Sequence, residues 1–225
     1  MKNPFMILNL QKIEFVDGRY QVELPFNEEH PILEDNYSKC VKRLNTLKHK
    51  LEKTPLLFDR YDEIIRKQVN EGIVELVDDS EKPPEVGTVT YIPHQAVIKE
   101  GKSTTKIRVV YDCSTKAGEH SFNECLYKGT CRTSLIFDSL LRFRLYDIAI
   151  IADIESAYLQ IAVVPEQRNF LRFLWFKNVQ DNDYSIVLFG AAPSQHLLNA
   201  VIRKHAEKYQ ENDPNFEKMM KYGFM

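Results

Sequence analysis

Two places in this chain hold side chains whose types and spacing can do chemistry. The first is the strand-like segment Thr104–Asp112, TTKIRVVYD. Side chains along a strand alternate faces, so Lys106, Arg108, Val110 and Asp112 fall on one side and Ile107, Val109 and Tyr111 on the other. Two cations beside an acid, backed by apolar residues, make a phosphate clamp: Arg gives a forked contact and Lys a point charge. An ordinary cross-strand ion pair, worth little, is the competing reading. The second place is Ile148–Val163, IAIIADIESAYLQIAV. Five apolar residues lead into Asp153, which predicts a buried strand whose last residue reaches solvent. Acids at strand ends are where α/β folds build sites. Here too a plainer reading stands, in which Asp153 caps the next turn.

The elements that must position these residues follow from periodicity and punctuation. Arg19–Leu24 alternates like a strand and stops at Pro25. Residues 38–53 repeat Val41, Leu44, Leu47 and Leu51 at helical spacing, with Ser38 as a candidate N-cap. The opposite face carries Lys39, Lys42, Arg43, Lys48, Lys50 and Lys53, which reads either as a phosphate-binding face or as a solvated one. A second helix is predicted from Phe58 to Gln68 or slightly beyond, ending at Gly72, followed by a short strand at Ile73–Val77 and an acidic loop at Asp78–Glu85. Gly87–Ile98 and Thr104–Asp112 form a hairpin about a turn at Lys99–Ser103. Residues 114–132 read as a loop and Thr133–Leu145 as a helix. Pro165–Arg168 reads as one helical turn, and Phe170–Phe176 with Tyr184–Leu188 as a second hairpin. A helix of about sixteen residues follows Ser194, and Asp213-Pro214 opens a last short one.

Composition narrows the classes. The 225 residues are 44% hydrophobic and carry a formal net charge of −2, so no global basic field announces a nucleic-acid partner, though a local basic groove would suffice for one. The four cysteines, Cys40, Cys113, Cys125 and Cys131, form no CxxC pair, and no histidine completes a zinc site. They read as reduced thiols of an intracellular protein, cytoplasmic or nuclear. No run approaches the roughly 20 apolar residues of a membrane span.

Taken in order, these segments resemble the reverse transcriptase domain of BEL/Pao-class LTR retrotransposons. The likeness runs over most of the chain. It begins at Arg19-Tyr20-Gln21-Val22-Glu23-Leu24-Pro25, similar to an RYxVxLP lead-in, and continues through Tyr91-Ile92-Pro93-His94 and Thr105–Asp112. It is tightest at Leu141–Leu145 with Ala152–Glu155, and at Leu171-Arg172-Phe173-Leu174-Trp175. The resemblance implies an α+β right-hand polymerase, with fingers and a partial palm and an antiparallel palm sheet packed by helices. Residues 1–56 would be an N-terminal extension with the basic helix, 57–147 fingers with the start of the palm, and 148–225 a partial palm that lends a hairpin near 170–188 to the fingers. The activity implied is RNA-directed DNA polymerisation, a nucleotidyl transfer, with template-primer RNA or DNA and a deoxynucleoside triphosphate as partners. Asp153 would be the first catalytic, metal-binding carboxylate and the backbone carbonyl of Ile154 a second ligand, in a site where two Mg²⁺ ions bridge the primer hydroxyl and the phosphates. Tyr158 would be the steric gate against a ribose 2′-hydroxyl. Lys106 and Arg108 would grip the triphosphate, and Gly190 would lie in the turn facing the nucleotide. Asp112 would anchor the finger, and Glu155 is not assigned to metal.

The sequence departs from that pattern in two places. The resemblance calls for a second palm motif, aromatic-x-Asp-Asp, and the only adjacent Asp pair is Asp78-Asp79, in the wrong context. The final Phe224-Met225 resembles the aromatic-x half, so the expectation is a chain truncated before the Asp-Asp pair, inactive alone, whose partners include the remaining palm, thumb and RNase H of a polyprotein. The Asp153 strand would then keep an open edge and favour aggregation. At the turn, Ser194-Gln195-His196 stands where Ser-Pro-Phe is usual. The alternative is a retroelement-derived module that binds nucleic acid or protein without catalysis, using the fingers and the basic helix.

Overall fold

A computed structural model describes residues 12–27, 33–77, 89–99, 106–127, 136–145, 147–148, 151, 153–178, 183–189 and 195–208. In chain order the elements are β1 (Glu14–Val16), β2 (Arg19–Val22), α1 (Tyr37–Glu52), α2 (Pro55–Asn70), β3 (Val74–Leu76), β4 (His94–Lys99), β5 (Lys106–Tyr111), β6 (Lys116–Ala117), β7 (His120–Ser121), α3 (Phe122–Cys125), α4 (Ile136–Phe143), β8 (Ile161–Val163), β9 (Arg172–Asn178), β10 (Asp183–Phe189) and α5 (Gln195–Glu207). Single 3₁₀ segments occupy Ala157–Gln160 and Pro165–Leu171. The fold is mixed α+β. It divides into two compact units, one of residues 24–127 and 163–191, the other of 1–23, 128–162 and 192–225.

The larger unit is built on an antiparallel sheet in the order β3-β10-β9. In β9, Phe173, Leu174, Trp175 and Phe176 are all buried, so both faces of that strand are covered, which is what a continuous apolar run predicts. The helices supply cover because their apolar residues recur on one face. Cys40, Leu44, Leu47 and Leu51 are buried along α1, and Phe58, Tyr61 and Ile65 along α2. Phe58 stacks on Trp175 with ring centres 5.9 Å apart. Pro55 lies in the first turn of α2, where its missing N–H costs nothing. Gly72 follows the helix at φ 65, the left-handed conformation that glycine adopts most easily.

Three expectations are corrected in this unit. The cap position of α1 is Asn36, not Ser38. The Asn36 amide is spent on a strand-like pairing, Nδ2 donating to Tyr91 O at 2.6 Å and Oδ1 accepting from Tyr91 N at 2.8 Å. Lys48 is not on the open basic face: it is buried, with Nζ 5.4 Å from the Phe176 ring centre and 3.8 Å from Glu52 Oε1. Its four-carbon stem lets it cover apolar surface while the ammonium finds a carboxylate and a ring. Finally, the stretch after Cys113 is not all loop. It contains the β6–β7 ladder and α3, entered through a capping box in which Glu124 Oε2 accepts from Ser121 N at 2.7 Å and Ser121 Oγ at 3.0 Å.

The smaller unit has a sheet ordered β1-β2-β8. The β1–β2 hairpin turns through Asp17-Gly18 at φ 50 and 80, a pairing that permits two consecutive left-handed residues. Ile13, Val22, Ile161, Leu197, Leu198, Ala200 and Val201 form its core, which seats α5. Here the main correction falls. Ile148 and Ile151 lie outside any strand and are 82% and 84% exposed. A strand needs a neighbour to pair with its N–H and C=O groups, and no described strand pairs with this run. The strand of this region is β8, beginning eight residues after Asp153.

Candidate functional site

Asp153 and Ile154 follow the exposed Ile151 in irregular backbone, and both are exposed. Among the described residues no side chain pairs with the Asp153 carboxylate. Tyr158 sits in the Ala157–Gln160 3₁₀ turn, with its ring partly open to solvent. Ser156, between them, adopts the left-handed region at φ 51 and ψ 39, uncommon for a residue with a side chain. The turn is closed by Leu159 N donating to Ser156 O at 2.7 Å. It is held from β2 by Arg19 Nη2, which donates to Leu159 O at 2.5 Å. Arg19 was visible in the sequence only as the first residue of a motif. Its guanidinium fixes the carbonyl next to Tyr158, which is a positioning role.

In the larger unit, β4 and β5 pair in register from His94↔Tyr111 to Lys99↔Lys106. Arg108 lies opposite Val97 and is exposed; Ile107, Val109 and Tyr111 on the alternate face are half-buried. The alternation read from sequence therefore holds. By register, Lys106 shares the Arg108 face and stands directly across from Lys99. Among the described residues none forms an ion pair with Arg108.

The base of this hairpin is tied at three points. Asp112 Oδ2 accepts from Arg43 Nη1 of α1 at 2.8 Å and from Thr115 Oγ1 at 2.8 Å. Asp112 Oδ1 accepts from Ser114 Oγ at 2.5 Å and Ser114 N at 3.2 Å. The Ser114 hydroxyl above all, with Arg43 and Thr115 behind it, outweighs partial burial and holds the Asp112 carboxyl down to about 2. Tyr111 Oη donates to Gln68 Oε1 at 3.3 Å. His94 lies between Tyr61 Oη at 2.6 Å and Leu174 O at 2.9 Å. Sequence reasoning placed Arg43 on a basic face and missed its partner, because the partner is 69 residues away.

The predicted site residues thus fall in separate groups. Asp153, Ile154 and Tyr158 share one stretch of the smaller unit, while Lys106 and Arg108 share one strand face of the larger. Gly190 and most of the turn around it, the Asp78-Asp79 pair, Cys131 and the helix predicted at Asp213 lie outside the described residues. Among the described residues Cys40, Cys113 and Cys125 form no disulfide, and burial pushes Cys40 and Cys113 up to about 12, so neither is poised as a nucleophile.

Mg²⁺ takes about six hard oxygen ligands in near-octahedral array. Asp153 and the Ile154 carbonyl offer one carboxylate and one backbone oxygen, and among the described residues no group of three or more His, Cys, Asp or Glu is placed to hold a metal ion. Those residues do not complete a two-metal centre. Among the described residues no helix is long and apolar enough to cross a membrane. Comparison with known protein families and with curated proteins finds no match.

Proposed function

We propose that this chain is the fingers and part of the palm of a BEL/Pao-like reverse transcriptase, a nucleotidyltransferase by ancestry, and that these 225 residues do not polymerise DNA by themselves. The observation that carries the reading is the β4–β5 hairpin: its open face presents Arg108, with Lys106 two residues earlier at a position of the same face, while its base is tied to α1, α2 and β9. A triphosphate grip needs a cationic face on a fixed support. Asp153 stands in exposed backbone five residues before Tyr158, whose turn is clamped by Arg19, as a metal carboxylate and a sugar-contacting ring would. A single carboxylate neutralises little of the charge that two Mg²⁺ ions bring, which is why activity is not expected from this chain alone. Primer extension on poly(rA)·oligo(dT) with Mg²⁺ or Mn²⁺ tests it. No extension is expected. Template-dependent extension that disappears in Asp153→Ala would overturn the claim of inactivity.

A second reading, a nucleic-acid-binding module without catalysis, is favoured by α1, where Lys39, Lys42 and Lys50 are exposed, with Lys53 just past the helix end. Salt-sensitive binding of a primer–template that survives both Asp153→Ala and Arg108→Ala would select it.

A further inference from the structure

Arg43 belongs by sequence to the basic face of α1, yet its guanidinium is committed elsewhere. Nη1 lies 2.8 Å from Asp112 Oδ2 and 2.7 Å from Thr115 Oγ1. Asp112 directly follows β5, and the two-residue period of the strand, continued by one residue, puts it on the side of Lys106 and Arg108. It is the one acid on that side of β5. Left uncompensated it would add a negative charge four residues along the chain from Arg108, about 13 Å at strand rise, and at low ionic strength it would oppose a highly charged anion approaching that side. The structure gives that carboxylate four donors: Arg43 Nη1, Thr115 Oγ1, Ser114 Oγ and Ser114 N. An ionised carboxylate has about four acceptor positions, so its capacity is filled. Three of the four donors are neutral; only Arg43 brings a compensating charge. The backbone is held as well, Asp112 N donating to Pro93 O at 2.8 Å.

We infer that Arg43 is a positioning residue that acts through Asp112: it ties down and neutralises the carboxylate at the exit of β5, and so keeps the Lys106–Arg108 face available to a polyphosphate anion. This rests on the anion-binding reading of that face. Arg43 itself does not contact the anion.

The experiment uses the full chain and sodium tripolyphosphate as the probe, followed by calorimetry, with the Asp112 carboxyl titrated by NMR in parallel. Arg108→Ala should abolish measurable binding. Because the clasp is partly exposed, Arg43→Ala should weaken binding only about 5-fold, and Arg43→Lys should recover most of that loss by restoring the charge. The double variant Arg43→Ala/Asp112→Asn should bind nearly as the parent does, since the carboxylate left uncompensated is gone; a clasp with a merely structural role would leave it as weak as Arg43→Ala. Parental affinity in Arg43→Ala, or a double variant that fails to recover, overturns the inference while leaving the anion reading standing. If the parent binds no tripolyphosphate, the anion reading falls. In that case the titration still decides the coupling: a rise of the Asp112 carboxyl in Arg43→Ala that is largely absent in Arg43→Lys supports it, and an unchanged value in Arg43→Ala overturns it.

Discussion

His94 Nε2 lies 2.9 Å from Leu174 O, and its Nδ1 lies 2.6 Å from Tyr61 Oη. A carbonyl only accepts, so Nε2 carries the proton and Nδ1 of the neutral ring accepts from the Tyr61 hydroxyl. One histidine thereby joins β4, α2 and β9 at the base of the hairpin that carries Arg108. Rings of Tyr61, Tyr111, Phe173 and Trp175 surround it, all with centres 6.0 Å or less from its own.

That burial makes stability depend on pH. Desolvation lowers His94 from its ordinary 6.5 to about 4, against a smaller opposing contribution from Leu174 O. Between those values the unfolded chain holds a proton that the folded chain refuses, so stability falls as pH drops from 6.5 towards 4 and is fully present above 6.5. A gap of that size is worth about 3 kcal/mol. Urea unfolding at pH 7.5 and pH 4.5 should show the loss, and His94→Gln should flatten its share. Equal midpoints at the two pH values would contradict the assignment.

Removing only the hydroxyl of Tyr61 isolates the other half of the contact. Tyr61→Phe keeps the ring packing and leaves His94 Nδ1 buried with no donor, which costs about 1–3 kcal/mol. The urea midpoint at pH 7.5 should fall accordingly. An unchanged midpoint would mean that the hydrogen bond contributes nothing.

The apolar surface of the smaller unit predicts self-association. Phe137, Leu145, Ile148 and Ile151 are each at least 66% exposed, and contiguous apolar patches beyond a few hundred Å² drive association. Ile151→Lys should delay the onset of aggregation with concentration, read by light scattering, without lowering the melting temperature. A parent that stays monomeric at high concentration would refute this.

Much of the local structure was legible. The helical stripes of α1 and α2, the β4–β5 hairpin and the β9–β10 hairpin all follow from local periodicity. So does the alternation that exposes Arg108 and buries the face of Tyr111. Two further local signals lie in the sequence: Asp17-Gly18, which dictates the β1–β2 turn, and Ser121-x-x-Glu124, which caps α3 inside a polar stretch. Non-local partners were not legible. Nothing near β3 says that it pairs with β10, more than 100 residues on, or that Arg43 meets Asp112. The difference at Ile148 and Ile151, which lie outside any strand, has the same origin. An apolar run specifies a buried strand only when another strand is there to receive it, and periodicity carries no information about that neighbour.

The most direct test of the polymerase reading is a hydrogen-exchange footprint of the full chain with poly(rA)·oligo(dT) and dTTP. The account predicts slowed exchange in two segments together, 106–112 and 153–160, with the first lost in Arg108→Ala. Protection confined to α1, or protection nowhere, would contradict it; the α1 pattern would favour a binding module that never held a nucleotide.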